Sequence, residues 1–272
     1  MIRIFIVGTG NLGTHLCRWF DGGNDPLNHD AGGGSAFAKA ESSKTSREYE
    51  LVGYLNKSGA RLDRVMAQRV EDFDSIPSCD LILLAVPDDR VKDVSENLPI
   101  TDAVVAHTSG SVSMDVLSKH ENHGVFYLPQ SFSKSRTPHF KEIPVCLEYF
   151  NKKSQFILET SSKFVSDKIH HMDSAQRKEL HLAAVYVNNF VNHCYLKSQK
   201  ILENAGIDTG LLNPLMRETF LKALDLQPKN AQTGPAIRND QKTITAHLEL
   251  LPEKERELYR VLTQSIQKEH LK

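Results

Sequence analysis

Three glycines near the start of the chain, Gly8, Gly10 and Gly13, are spaced as G-x-G-x-x-G. Residues 2–7 before them, Ile-Arg-Ile-Phe-Ile-Val, read as a buried strand, and Leu12, Leu16 and Phe20 after them have helical spacing. A strand that enters such a loop and opens a helix predicts a dinucleotide-binding turn. The chemistry is that of the backbone: Gly8 permits the tight turn, Gly10 lets a pyrophosphate approach, and Gly13 lets the helix lie close to the strand. The N–H groups of Asn11, Leu12 and Gly13 then face the phosphates at the positive end of the helix dipole. Asn56-Lys57-Ser58-Gly59 follows the second predicted strand, residues 50–55, where an Asp or Glu would hold the ribose hydroxyls of NAD. Here Lys57 can pair with a phosphate, and Asn56 and Ser58 can donate hydrogen bonds to its oxygens. The pattern predicts NADP, with an ordinary polar turn as the alternative. More than 40 residues separate this turn from Gly13, against the usual ~20. A Gly-, Ser-, Lys- and Thr-rich insertion over residues 22–48 accounts for the excess. It reads as a surface loop, or as a lid over the adenosine end.

Further candidates sit where later strands end. Val86 and Pro87, after the strand predicted at 80–86, are placed to pack on the cofactor, and Asp88 or Asp89 to cap the next helix. His107-Thr-Ser109-Gly110-Ser111 closes the strand predicted at 103–107. Its small residues admit a nicotinamide and a substrate, and His107 is the first candidate acid, or else a structural histidine ending a strand. Pro129-Gln-Ser131-Phe-Ser133, after the strand predicted at 124–128, can add polar contacts. A helix is expected from Asp173, with Gln176 completing a capping box, as far as Gly206. It carries no Asp, Glu, Lys or Arg from Leu182 to Leu196, which predicts burial on most sides. At about 100° per residue His181, Asn188, Asn192 and Gln199 share one stripe. Such a stripe needs hydrogen-bond partners, either a ligand or backbone across a domain or dimer interface. Arg238, beyond the bend Gly234-Pro235, can fork onto a substrate carboxylate or pair with Asp240 or an interface acid. His247 stands one helical turn after Thr243.

The elements that must position these residues are legible as patterns. Strand and helix signals alternate through the first half, with continuous apolar runs at 80–86, 103–107 and 124–128, a further one at 143–148, and a helical stretch at 61–68. This predicts an α/β fold, a doubly wound parallel Rossmann sheet over residues 1–150. Residues 151–272 read as an all-helical domain for substrate and dimerisation, with further helices opening at Asn213-Pro214, Asp240 and Pro252. The 272 residues suffice for one large or two ordinary domains. A net charge of -1 gives no reason to expect nucleic acid or an acidic membrane as partner. The four cysteines, Cys17, Cys79, Cys146 and Cys194, have no metal spacing and read as reduced thiols, so no metal is expected. The first apolar run is only a strand long, and no run approaches the ~20 residues of a membrane span. A cytoplasmic protein with a small-molecule substrate is the expectation. The charge-free stretch further predicts a homodimer, the commonest closed assembly.

The chain resembles the small two-domain predicted oxidoreductases that join a Rossmann-like NADP-binding domain to a C-terminal helical domain of undefined function. The matching stretches are 8–13, 56–58, 85–88, 107–111, 129–133, the helix with His181 and Asn188-Asn189, and 233–247. The family is similar in plan to ketopantoate reductase, pyrroline-5-carboxylate reductase, prephenate dehydrogenase and deazaflavin-dependent NADP reductases. The resemblance implies an NADP-dependent reductase of a small 2-oxo acid or a related carbonyl or imine. The hydroxyacid-dehydrogenase and ketopantoate-reductase patterns place a lysine early on the interdomain helix and an asparagine one turn later. Here His181 stands at the lysine place, Val185 lies one turn on, and the first asparagine is Asn188. Two expectations follow. In the first, His181 or His107 donates the proton, Asn188 and Ser109 orient the carbonyl, and Arg238 holds the carboxylate. In the second, the protein binds NADP without turnover and serves as a redox-responsive partner or regulator.

Overall fold

The computed structural model describes residues 1–22 and 48–270. Apart from its end residues, the insertion expected over 22–48 lies outside the described residues. The chain divides into two compact units, 1–193 and 194–272.

The first unit is built on an eight-stranded sheet. Its strands are β1 (Ile2–Val7), β2 (Tyr49–Leu55), β3 (Arg69–Val70), β4 (Leu81–Leu84), β5 (Val104–His107), β6 (His123–Tyr127), β7 (Val145–Tyr149) and β8 (Ile169–His171), in the order β3-β2-β1-β4-β5-β6-β7-β8. Strand alternation gives each face its own core. Ile2, Ile4 and Ile6 of β1 pack on one side with Leu16, Cys17 and Phe20 of helix α1 (Asn11–Gly22). Phe5 and Val7 pack on the other with Val91, the first residue of helix α2 (Val91–Asn97). Helix α3 (Lys152–Val165) joins α1 through Ile157, Leu158 and Val165, and the Trp19 indole N–H donates to Phe164 O at 3.1 Å. Helices on both faces of a mostly parallel sheet make the doubly wound Rossmann arrangement that was expected.

Three details differ from the sequence reading. β7 runs antiparallel to β6, whereas β8 pairs with β7 in parallel; a short apolar run such as 143–148 carries no mark of its direction. Helix α3 packs on the sheet and β8 extends it, so the first unit runs to residue 193, past residue 150, where the domain boundary is expected from sequence. No helix forms over 61–68. There the Tyr54 hydroxyl accepts from the Leu62 N–H, and the Asp21 carboxylate accepts from the N–H groups of Met66 and Ala67. Side-chain acceptors on neighbouring elements thus replace helical bonds.

Helix α4 (Ser174–Ala184) starts with the expected capping box between Asp173 and Gln176, and is followed by a π-helical turn, Val185–Phe190. Helix α5 (Val191–Asn204) leads into the second unit and ends at Gly206, whose φ of 69° closes the helix as anticipated. The second unit is helical, with α6 (Asn213–Leu226) opened by Pro214, α7 (Pro228–Ala231), α8 (Gln241–Leu250) capped by Asp240, and α9 (Glu253–His270). Among the described residues no helix is long and apolar enough to cross a membrane.

Candidate active site

The parallel strands β1, β4, β5 and β6 all end on one edge of the sheet, and the order of the strands reverses direction between β1 and β4. In an open α/β sheet the crevice outside such carboxyl ends is where ligands bind. The segments singled out by sequence, 8–13, 85–88, 107–111 and 129–131, leave the sheet along this edge.

After β1 the glycines divide their labour. Gly8 has φ 98°, and a Cβ there would run into the Ala85 carbonyl. A Cβ on Gly13 would overlap the Gly8 carbonyl, so α1 sits against its own entry loop. A Cβ on Gly10 would meet nothing within 4 Å. Gly8 and Gly13 therefore serve the packing of the turn, while Gly10 borders open space. The first backbone bond of α1 runs from the Thr14 N–H to Gly10 O at 3.1 Å, so the N–H groups of residues 11–13 have no acceptor within the helix. The first turn holds no acidic residue to repel an anion.

At the end of β2, Asn56 is buried and donates its amide N–H to Ala60 O at 2.8 Å, which pins the turn. Its Oδ1 is buried without a hydrogen-bond partner. The side chain expected to donate to a phosphate thus offers an acceptor instead. Lys57 and Ser58 are exposed. After β4, Val86 is half-buried and contributes to the core on the α2 face, and Pro87 is exposed. Neither Asp88 nor Asp89 caps a helix; the Asp88 carboxylate accepts from the Ser111 hydroxyl.

His107 is 0% exposed, and its Nδ1 accepts from the Ser109 N–H at 3.2 Å. Burial, and next the Arg177 guanidinium, push its pKa down to about 4. At neutral pH the ring is therefore uncharged and keeps a single N–H, and its Nδ1 holds the loop after β5. Ser109 is likewise turned inward, its hydroxyl accepting from the N–H groups of Ser111 and Val112, both at 3.1 Å. The next residue makes the contact with the site. A Cβ on Gly110 would lie 2.6 Å from His181 Nδ1 and 2.8 Å from Tyr127 Cζ, so only glycine lets the loop close on that pair.

His181 and Tyr127 meet through Nδ1 and the phenol oxygen at 3.2 Å, with the rings nearly edge-on. Burial raises the Tyr127 hydroxyl to about 12, so it keeps its proton. Together they line a cavity of about 320 Å³ with Pro129, Gln130, Ser131, Ala184, Val185, Val187, Asn188 and Asn189. The structure thus brings His181, Asn188 and the loop after β6 together. It leaves Asn192 out, because the π-helical turn adds a residue to the helical repeat and moves Asn189 rather than Asn192 onto the cavity. The charge-free stretch is not buried within the chain: Leu182, Tyr186, Val187 and Phe190 are 52–73% exposed.

Three residues of this site carried no signal in the reading above. Tyr127 sits in an apolar strand, and its place at a carboxyl end is the clue that points to it. Arg177 and Glu148 pair inside the fold although 29 residues apart, and no short-range rule links them. Arg238 belongs to the second unit. It is exposed in a turn bounded by Gly234 (φ 111°) and Asn239 (φ 52°) and makes no ion pair among the described residues. Asp240, its expected partner, spends its carboxylate on the Thr243 N–H and hydroxyl, at 3.1 and 2.7 Å.

A family model described as a domain of unknown function (DUF2520) matches residues 143–266. No curated protein matches the chain. A solved structure from Bacteroides fragilis, named a "putative NADP oxidoreductase", is 29% identical, covers 98% of both chains and superposes with a TM-score of 0.81. Pyrroline carboxylate reductase from Plasmodium falciparum, solved with NADP bound, is 10% identical over 97% of this chain and 98% of that one, with a TM-score of 0.58. A reductive aminase from Aspergillus terreus, in complex with NADPH and ethyl-5-oxohexanoate, is 12% identical over 99% and 94%, with a TM-score of 0.62. The last two show likeness of fold alone. The resemblance read from the sequence, to oxidoreductases with a Rossmann sheet and a helical C-terminal part, is borne out by these neighbours.

Proposed function

We propose that this protein is an NADP-dependent oxidoreductase that reduces a small carbonyl compound or imine. The observation that carries the reading is the Tyr127–His181 pair in a cavity on the same sheet edge as the glycine turn. The open space at Gly10 and the orphaned Asn56 Oδ1 fit the cofactor, and the solved neighbours named for NADP support it. The N–H groups of Asn11, Leu12 and Gly13 hold the pyrophosphate. Lys57 and Ser58 hold the 2′-phosphate, Asn56 accepts from a ribose hydroxyl, and Val86 and Pro87 pack beside the ring. When bound, NADPH supplies hydride to the carbon of a C=O or C=N bond.

The chain's own residues manage the proton. With both ring nitrogens protonated, His181 has only donors, so the Tyr127 oxygen is the acceptor for Nδ1–H. That bond fixes the ring and leaves the Nε2 proton to pass to the substrate oxygen or nitrogen, after which His181 is neutral and recovers a proton from water. The Asn188 amide orients the polar atom of the substrate. His107 and Ser109 act indirectly, by shaping the loop that carries Gly110. The finer reading, a ketopantoate-reductase-like enzyme of a 2-oxo acid, requires a cation for the carboxylate, and among the described residues the cavity lining holds no lysine or arginine.

The test is NADPH oxidation across a panel of 2-oxo acids, neutral ketones and cyclic imines. Turnover of a panel member, lost in His181→Gln while NADPH still binds, supports the reading. Tight NADPH binding with no oxidation of any member favours the alternative, an NADP-binding regulator, which the absence of a lysine from the cavity lining also suits. We further infer a homodimer working in the cytoplasm. The exposed apolar residues Leu182, Tyr186, Val187 and Phe190 form a face that a second copy can cover, and all four cysteines are free. A monomer by light scattering at micromolar concentration overturns the dimer.

A further inference from the structure

We propose that Arg177 is the positioning residue of this site: from a wholly buried place it clamps α4 to β7 and to the loop after β5, and so holds the His181 ring against Tyr127 and Gly110. The Arg177 side chain is 0% exposed. One arm of its fork donates to the Glu148 carboxylate on β7. The other donates to Val112 O in the loop after β5, and to Ser174 Oγ at 3.1 Å. Ser174 completes the clamp. Its hydroxyl donates to Glu148 Oε2 at 2.8 Å and accepts from the Met114 N–H at 3.1 Å, while its own N–H donates to Glu148 Oε1 at 3.1 Å. Three separate segments, 112–114, 148 and 174–177, are thereby fixed to one another.

Geometry carries the effect to His181. Arg177 and His181 are four residues apart on α4 and so share a face. Gly110, two residues before Val112, touches the His181 ring. The loop that Arg177 grips is the loop on which His181 rests. A buried ion pair gives little net stability over a well-packed apolar residue of the same size. What a guanidinium adds is direction, since its planar fork addresses a carboxylate and a carbonyl at once. The same cation, next after burial, keeps His107 uncharged beneath the loop.

The inference rests on the reading of His181 as the proton donor, but its test reads the ring directly. Histidine side-chain ¹H–¹⁵N spectra of the full chain, with the His181 signal assigned by its loss in His181→Gln, report which tautomer the neutral ring adopts. One tautomer is expected to dominate in the wild type. Both are expected in Arg177→Met and Glu148→Gln, with partial return to one in Arg177→Lys, and NADPH affinity is unchanged throughout. With a substrate in hand, kcat falls by about 10²-fold in Arg177→Met while KM holds. A His181 signature identical to wild type in Glu148→Gln and in a folded Arg177 variant overturns the clamp. Should Arg177→Met not fold, Glu148→Gln and Arg177→Lys decide it. A wild type that oxidises no NADPH removes the proposed activity, yet the spectra still decide whether Arg177 sets the ring.

Discussion

The glycine turn after β1 and the cavity at the end of β6 lie on one sheet edge but are made of different material. The turn is backbone, six residues long, and its shape follows from the missing side chains of Gly8 and Gly13. The cavity is made of side chains from two separate segments, 127–131 and 181–189, and rests on a loop and an ion pair supplied by others. A backbone site is set by local sterics and fails only where a Cβ intrudes. A side-chain site depends on supports that touch no ligand, so it fails at a distance as well as in place. The two should therefore come apart under mutation.

The largest separation is expected from His181→Ala. A positioned proton donor contributes typically 10²–10⁴-fold, so turnover should fall by about that factor while NADPH titrates as in the wild type. A parallel loss of NADPH binding would show that the two regions form one site and break the comparison. Next comes His107, which supports the cavity without lining it. Its pKa is 6.5 in the unfolded reference and about 4 in place, so between those values the unfolded chain binds the extra proton. Above about pH 6.5 the ring is neutral in both states and its titration costs nothing, whereas as the pH falls toward 4 the buried ring resists protonation and the folded state loses about 3 kcal/mol. Urea melts at pH 7 and pH 4.5 should show a shallower pH dependence in a folded His107→Gln variant than in the wild type. Equal dependences would mean that the ring is not held uncharged.

The same contrast explains what was legible in the sequence. The glycine turn, the strand runs ending at residues 86, 107 and 128, the Asp173–Gln176 box and the stop at Gly206 all obey rules that span a few residues. The supports of the cavity do not. Nothing near Arg177 announces that it will be wholly buried, because its partner Glu148 lies on a strand 29 residues earlier. Tyr127 hides in a run that reads as core. The polar stripe was half right: His181 and Asn188 do meet, but a constant helical repeat cannot foresee a π-helical turn, and so Asn192 was expected where Asn189 stands. The apolar, charge-free stretch signalled burial, which the chain alone does not supply. At 61–68 the spacing of Arg61, Leu62 and Val65 resembled a helix, yet Tyr54 and Asp21 capture its N–H groups first.

Within the glycine turn a pair of substitutions sharpens the comparison. Gly13→Ala forces a methyl group into the Gly8 carbonyl, so it should lower stability by about 1–3 kcal/mol, the usual cost of overpacking. Gly10→Ala meets nothing in the protein, so the chain should melt as the wild type does while NADPH binding weakens. Chemical melts together with NADPH titrations separate these cases. If Gly10→Ala bound NADPH as well as the wild type, the open space beside it would not be where the pyrophosphate lies.

The smallest effect is expected at the far end of the cofactor, where a solvated side chain replaces backbone. Lys57 is exposed, and an exposed ion pair contributes about 0.2–1 kcal/mol. Lys57→Glu removes that attraction and adds a repulsion of similar size, so NADPH should weaken by about tenfold. NADH lacks the 2′-phosphate and should change far less. The ratio of the two affinities isolates the phosphate contact from any general disturbance of the turn, because Asn56 holds the turn through Ala60 O and not through Lys57. The loss for NADPH should also shrink as salt is raised, since the Debye length falls to about 3 Å at 1 M. Equal weakening of NADPH and NADH, or a wild type that prefers NADH, would remove Lys57 from the cofactor site and leave the glycine turn as its one supported part.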